Sequence, residues 1–277
     1  MRAKLVIMSL LLLLAAPACQ RTPGGFESNG GVVSVARSED IRLPAAGVSR
    51  LLLTSAAGEI HIGPAVGDEI VIRAAKSVQG ADKAENEALL NEMSITAVVA
   101  EGCLALGARA AANPDKDYWE WLREQGKETA AAAVDYTVLV PRGIVAFEID
   151  NRAGRVMAED VTGSFLIRAG TTDLTFTNVA LTGKSLLMVQ TGNIVLDINP
   201  AGAADIVVNS GAGDVKVILP ETVRLNLKAS VAAGTVAGDI REEVTGAGTV
   251  EETAENVDTR LLISVTTGDV CITRKKE

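Results

Sequence analysis

The chain has 277 residues, a formal net charge of −9, and 48% apolar against 22% charged residues. That mixture belongs to a packed globular body rather than a disordered chain. The acidic balance, with no Lys/Arg block to offset it, excludes a phosphate backbone as partner, so no nucleic acid is expected.

The N-terminus comes first. Arg2 and Lys4 precede an apolar run from Leu5 to Ala16 that ends in Ala-Pro-Ala-Cys at Ala16 to Cys19, the pattern of an export leader. The run falls short of the roughly 20 apolar residues a membrane helix requires. Residues 1–18 are therefore read as a signal peptide, whose removal with its two cations takes the formal charge from −9 to −11. The small residues before Cys19 suit an ordinary signal-peptidase site, and the same stretch resembles a bacterial lipobox. The second reading is adopted because the polar segment from Gln20 to Gly31 has the composition of a tether behind an anchor. Cys19 is then the lipidated residue, acylated at a membrane of the cell envelope, with residues 19–40 as its tether. Beyond it only Cys103 and Cys271 remain. Export permits a disulfide between them, and two free thiols fit equally well.

From residue 41 to 277 the pattern is that of one β domain. In "AAGEIHIGPAVGDEIVIRAAKS", Ala56 to Ser77, Ile60, Ile62, Ile70 and Ile72 alternate with polar neighbours, the period of strands buried on one face. An insertion at about 79–93 follows. Asp82 and Glu85 have capping-box spacing there, and Ala84, Ala88, Leu89 and Met93 fall on one side of a short helix. Strands resume at "SITAVV" and "CLALGA", and a polar insertion at about 110–133 carries "NPDKDYWEWLREQGKE". As a helix this second insertion places Tyr118, Trp121 and Leu122 on one face, with Trp119 about 100° away. Either that face seals the flank of the domain, or Trp119, with Tyr118, Trp121 and Arg123, forms a recognition surface.

The remainder repeats. "VQTGNIVL", "SGAGDVKV" and "VTTGDVCI" each set a glycine and an Asx residue before an apolar alternation, with Asp173, Asn193 and Asp214 spaced 20 and 21 residues apart. Leu174 and Phe176, Ile194, Leu196 and Ile198, Ile206 and Val208, Val215, Val217 and Leu219, Val223, Leu225 and Leu227, and Val270 and Ile272 are expected inside. Val195, Asp197, Lys216, Arg224, Asn226 and Lys228 are expected outside. Hairpin turns place Asn or Asp before Gly; here the order is reversed, which suits a glycine of positive φ turning a corner into the next rung, with the Asx side chain bonding local backbone. A phosphate loop would need a helix after the glycine. The fold class expected is all-β, a single-stranded β-helix or solenoid with turns of roughly 20 residues.

The order of "GEIHIGPAVGDEIVIRAAKS", a helix, "VDYTVLVPRG" and the Gly-Asx repeats resembles the bacterial putative-adhesin β-solenoid family, a domain of unknown function, from about Ile41 onward. The resemblance implies a surface-acting binding or scaffold module, and it also allows an envelope-stress signalling component that binds a membrane partner.

Little points to catalysis. His61 is the one histidine, with no partner at ligand spacing, so no metal or cofactor is expected. Glu59, Asp68, Asp173, Asp214 and Asp269 read as turn and surface residues rather than a facing carboxylate pair. A polysaccharide-acting enzyme is the least favoured alternative. The reading carried forward is a non-catalytic envelope lipoprotein, attached through its lipid, whose partner is an envelope protein or a glycan.

Overall fold

The computed structural model describes residues 32–127, 130–255 and 257–275. Residues 1–31, and with them the leader and Cys19, lie outside the described residues. The architecture is all-β, and strands are numbered here in chain order. β1 (Val33–Pro44) pairs antiparallel along its whole length with β4 (Glu69–Gly80). Residues 33–40, expected to belong to a tether, are instead part of this strand. The segment "VSVARSEDIRLP" is an edge strand wetted on one side, so its apolar alternation is faint in sequence.

Most other strands fall into two columns. The first runs β5 (Met93–Ala100), β6 (Cys103–Ala110), β2 (Arg50–Ser55), the first half of β9 (Ala146–Glu159), the first half of β10 (Thr162–Leu181), β11 (Lys184–Thr191), β13 (Asp205–Ala212), β19 (Arg260–Thr267), β15 (Asn226–Ala233) and β18 (Gly248–Glu252). The second runs β1, β4, β8 (Ala131–Val140), β3 (Gly58–Pro64), the second halves of β9 and β10, β12 (Ile194–Ile198), β14 (Val215–Pro220), β20 (Val270–Lys275), β16 (Thr235–Gly238) and β17 (Val244–Thr245). Pairing is parallel through the middle of both columns and antiparallel at their ends.

Each rung contributes one strand to each column, and the inward parity fills the space between. Leu51, Leu53, Ile60, Ile62, Ile149, Val156, Ile167, Leu174, Ile194, Leu196, Val215 and Val217 are fully buried. All the residues expected inside are buried except Val223, which is half-buried. Phe147 stacks on Phe165 at 4.6 Å, and Phe165 lies 4.7 Å from Phe176. Each such side chain contributes about 1.5–3 kcal/mol by leaving water.

A spacing near 20 residues holds only at the centre, with steps of 18 from Ala146 to Ser164, 20 from Leu166 to Leu186 and 21 from Ser185 to Ile206. Beyond it the stacking order departs from chain order. β19 and β20 lie against β13 and β14, a step of 55 residues from Ile206 to Leu261, and they separate those strands from the earlier β15 and β16. "EEVTGAGTVEET" causes this: it returns antiparallel as β17 and β18 on the far side of β15 and β16, leaving the inner place for the following rung.

The two insertions hold the helices. α1 (Lys83–Glu92) is capped by Asp82, whose Oδ1 accepts the Glu85 amide at 2.8 Å. Its buried face is Asn86, Leu89 and Leu90, continued by Met93, whereas Ala84 and Ala88 are exposed. The stripe expected from the alanines is thus rotated, because Asn86 turns inward to donate to Val33 O at 2.9 Å. α2 (Tyr118–Glu124) follows β7 (Asn113–Asp117) and is capped by Asp117.

Candidate functional site

The Gly-Asx corners are architectural, with the Asx side chains at the surface. Gly58, Gly154, Gly192, Gly213, Gly268 and Gly234, with φ between +121° and +153°, share one column in which Thr172 takes the place between Gly154 and Gly192. A Cβ on Gly213 would lie 2.2 Å from the carbonyl oxygen of Gly192, so only glycine fits. The sequence predicts Asx side chains bonding their own turn; instead they reach across rungs. Asp173 Oδ1 accepts the Asn193 amide at 2.8 Å, Asn193 Oδ1 that of Asp214 at 3.1 Å, Asp214 Oδ1 that of Asp269 at 2.9 Å, and Asp269 Oδ1 that of Thr235 at 2.8 Å. Asp135 does the same for Glu59 at 2.8 Å. Glu59 and Arg155, where the ladder lacks Asx, lie side by side as an ion pair at 3.6 Å. These carboxylates are spent on backbone amides.

The aromatic insertion is largely docked. Tyr118 is buried and donates its hydroxyl to Leu89 O at 2.9 Å. Burial, with Glu92 adding to it, raises its phenol well above the ordinary range. Trp119 is half-buried, packs against the core and donates Nε1–H to Ala132 O at 3.2 Å. Trp121 is likewise half-buried, and Arg123 is exposed. Cys103 and Cys271 are free thiols, each half-buried, so the disulfide left open by the sequence is not formed. Cys103 sits in β6 beside Arg50, and Cys271 in β20 between Lys216 and Ala237, several strands away in the other column. His61 has Nε2 3.5 Å from Glu159 Oε2 on the outer side of the second column.

What the alternation missed lies on the outer side of the first column. "FLIR", "LLMVQ", "IVVN" and "RLLIS" are apolar at both parities. Their inward residues fill the core, and their outward ones align as Leu166, Leu186, Val207 and Leu262 on four successive strands. Toward β5 the same line continues through Glu148, Leu52, Ala105 and Val98. Val98 is 57% exposed and the rest are half-buried. Glu148 is neutralised by Arg168 at 3.1 Å.

Beside this line, where the first column bends toward the corner, a groove of about 890 Å³ opens to solvent. Its floor is made by one outward position, which reads Arg152, Gly170, Gln190, Gly211 and Thr266 along the stack. Gly170 and Gly211 leave notches because a Cβ there would stand 2.3 and 2.4 Å from the carbonyl oxygens of Arg152 and Gln190. Asp150, Arg168, Met188, Asn209 and Ser264 form the other wall. A double-apolar run is the sequence signal that could have revealed this side of the sheet.

No protein-family model matches the chain. No curated protein matches it either. Among solved structures, it is similar to a putative cell adhesion protein from Clostridium sporogenes, at 13% identity and a TM-score of 0.40, covering 87% of this chain and 100% of that one. It is also similar to a putative adhesin from Bacteroides fragilis, at 11% identity and a TM-score of 0.33, covering 86% and 97% respectively.

Proposed function

We propose that the protein is a non-catalytic binding module of the bacterial cell envelope, exported under residues 1–18 and held at a membrane by lipid on Cys19. Its repeated coil is a β-solenoid, and its groove beside the first column receives an extended polar polymer, an envelope glycan strand. The observation that carries this reading is the groove floor. Arg152 and Gln190, and Asn209 on the wall, point polar groups at solvent that no other described residue engages. Floor side chains recur at every second rung, about 9.6 Å apart at a strand spacing of about 4.8 Å, roughly the length of a disaccharide. The groove is open rather than enclosed, as a polymer that enters and leaves it sideways requires. Catalysis finds little footing beside this, since the stacked Asx carboxylates already accept backbone amides.

Co-sedimentation of the purified mature protein with insoluble envelope polysaccharide tests the groove. Arg152→Ala combined with Gln190→Ala should weaken retention about tenfold, the effect of losing two polar contacts. Unchanged retention would remove the groove from consideration. The intact mass of the mature N-terminus tests the anchor separately, and a Cys19 without acyl chains would refute it.

A further inference from the structure

The apolar line on the first column has no role in the core, which the inward parity already fills. Val98 is exposed, and stacking between strands covers most of each other side chain while leaving part of it facing water. Contiguous apolar surface of this kind marks an interaction site on an otherwise acidic body. From Val98 to Leu262 the line crosses eight adjacent strands, a length of about 34 Å at a spacing of about 4.8 Å. It ends at an ion pair, Lys228 with Glu251 at 2.5 Å.

We propose that this surface binds a second copy of the chain, with the two first-column sheets packed face to face about a two-fold axis along the apolar line. Three features select this partner.

Apart from Glu148 the line is aliphatic, and it has no aromatic side chains, which suits another sheet at about 10 Å separation. Its area is sufficient: ten strands by about five residues give about 43 by 16 Å, or about 700 Å² per copy and about 1,400 Å² in all, within the range of stable interfaces.

The arrangement of charge allows it. The chain carries −9 overall, so copies repel across most approaches. The outward positions of this column instead hold Arg50, Arg109, Arg152, Arg168, Lys184, Lys228 and Arg260 against Glu148, Asp150, Asp205 and Glu251, seven cations to four carboxylates. Three of those pairs are closed within the sheet: Arg168–Glu148 at 3.1 Å, Arg260–Asp205 at 2.8 Å and Lys228–Glu251. They need no charged partner.

The axis follows from the flanks. On one side of the line stand Arg50, Lys184, Asp205 and Arg260, and on the other Thr54, Met188, Asn209 and Ser264, strand for strand. Rotation about the line lays each flank of one copy over the opposite flank of its partner. Arg50 then meets Thr54, Lys184 meets Met188, Asp205 meets Asn209 and Arg260 meets Ser264, with no like charges opposed. Leu186 and Val207 meet their own counterparts. Rotation about the perpendicular in-plane axis would instead set the charged flank upon itself. The chosen axis also keeps both N-terminal ends on the same side, as two chains anchored in one membrane would need; the dimer itself does not depend on the anchor, and because Met188, Asn209 and Ser264 also line the groove it competes with the groove's ligand.

The test uses the mature protein in two formats. By sedimentation velocity at tens of micromolar it should run as a dimer. Leu186→Asp, which places two carboxylates at the axis, should weaken association by on the order of a hundredfold, with the far-UV circular dichroism unchanged because the position is outside the core. Val195→Asp, on the outer side of the second column, should leave the dimer intact. In cells, Leu186→Cys in a Cys103→Ser, Cys271→Ser background should crosslink to itself with a short bismaleimide, and Val195→Cys should not. A monomeric wild type, a folded Leu186→Asp that still dimerises, or Leu186→Cys joined to a different protein would overturn the proposal.

Discussion

Replacing Gly213 with Ala tests the corner ladder directly. The new Cβ would start 2.2 Å from the Gly192 carbonyl oxygen, about 1.1 Å inside the nearest comfortable C···O approach. Relief requires the two rungs to part by about that amount at the corner. Three hydrogen bonds cross there: Gly192 N to Ala212 O at 2.9 Å, Ile194 N to Asp214 O at 2.8 Å and Asp214 N to Asn193 Oδ1 at 3.1 Å. Weakening them at about 1 kcal/mol each, with about 1–2 kcal/mol of backbone strain at φ +128°, gives a cost of about 4–5 kcal/mol. Gly183→Ala is the control. Gly183 also has positive φ, +59°, but a Cβ there meets nothing within 4 Å, so the cost is about 1 kcal/mol. Urea midpoints, read with amide exchange at Ile194 and Val215 because stacked rungs need not unfold in one step, should separate the two variants by about 2 kcal/mol or more. Equal losses would show that the glycines serve their own turns only, and that the close inter-rung approach is not what selects them.

Two further outcomes are expected. Ile194→Asp places a carboxylate in the fully buried column and should cost several kcal/mol or else fold with the carboxyl protonated, whereas Val195→Asp, half-exposed next to it, should change the melting temperature little; comparable losses would contradict the two-faced strand. Burial raises both tyrosine phenols, with Glu92 adding to the effect at Tyr118 and Asp117 at Tyr136. The unfolded chain then ionises first, so this contribution is intact below pH 10 and declines as pH rises through the folded values. An alkaline scan at 295 nm should therefore show no phenolate near pH 10 in the folded protein, and a reversible step there would place one ring in water.

The inward residues were legible because period 2 is a strong signal where one face is wet: Leu174, Ile194, Leu196, Val215 and Val217 are all buried where the alternation put them. Glycines before Asx residues announced the corners, but no local pattern tells an Asp side chain that its acceptor role lies with a residue 20 or 55 positions away, as for Asp173 and Asp214. Lys76 shows another gap. It occupies an inward position of β4, 4% exposed, donating to Met93 O at 2.5 Å and paired with Glu39 of β1, a compensation visible only once both neighbours are in place. The outer apolar line escaped for a related reason. Leu166, Leu186, Val207 and Leu262 sit beside inward residues of the same kind, so each run looks like one uninterrupted apolar stretch, and their alignment depends on register. Stacking order was hidden too, because β17 and β18 carry strand-like sequence and their antiparallel return is a tertiary choice.

That stacking order bears on how the chain folds as it is delivered. A polypeptide emerging from its N-terminus can lay down β9 to β14 rung by rung, each on the edge left by the last. β15 and β16 appear next, and the edge of β13 and β14 is then the nearest template of matching length, with Gly213 and Asp214 ready to receive Gly234 and Thr235. Native stacking needs that edge kept for β19 and β20. The chain must therefore either hold β15 and β16 aside with their β17–β18 return or peel them off when residues 260–275 arrive. Assembly at this end is a strand exchange rather than an extension, so its final step should be slower than the zippering before it, and a nascent chain halted near residue 250 has a well-ordered wrong partner within reach.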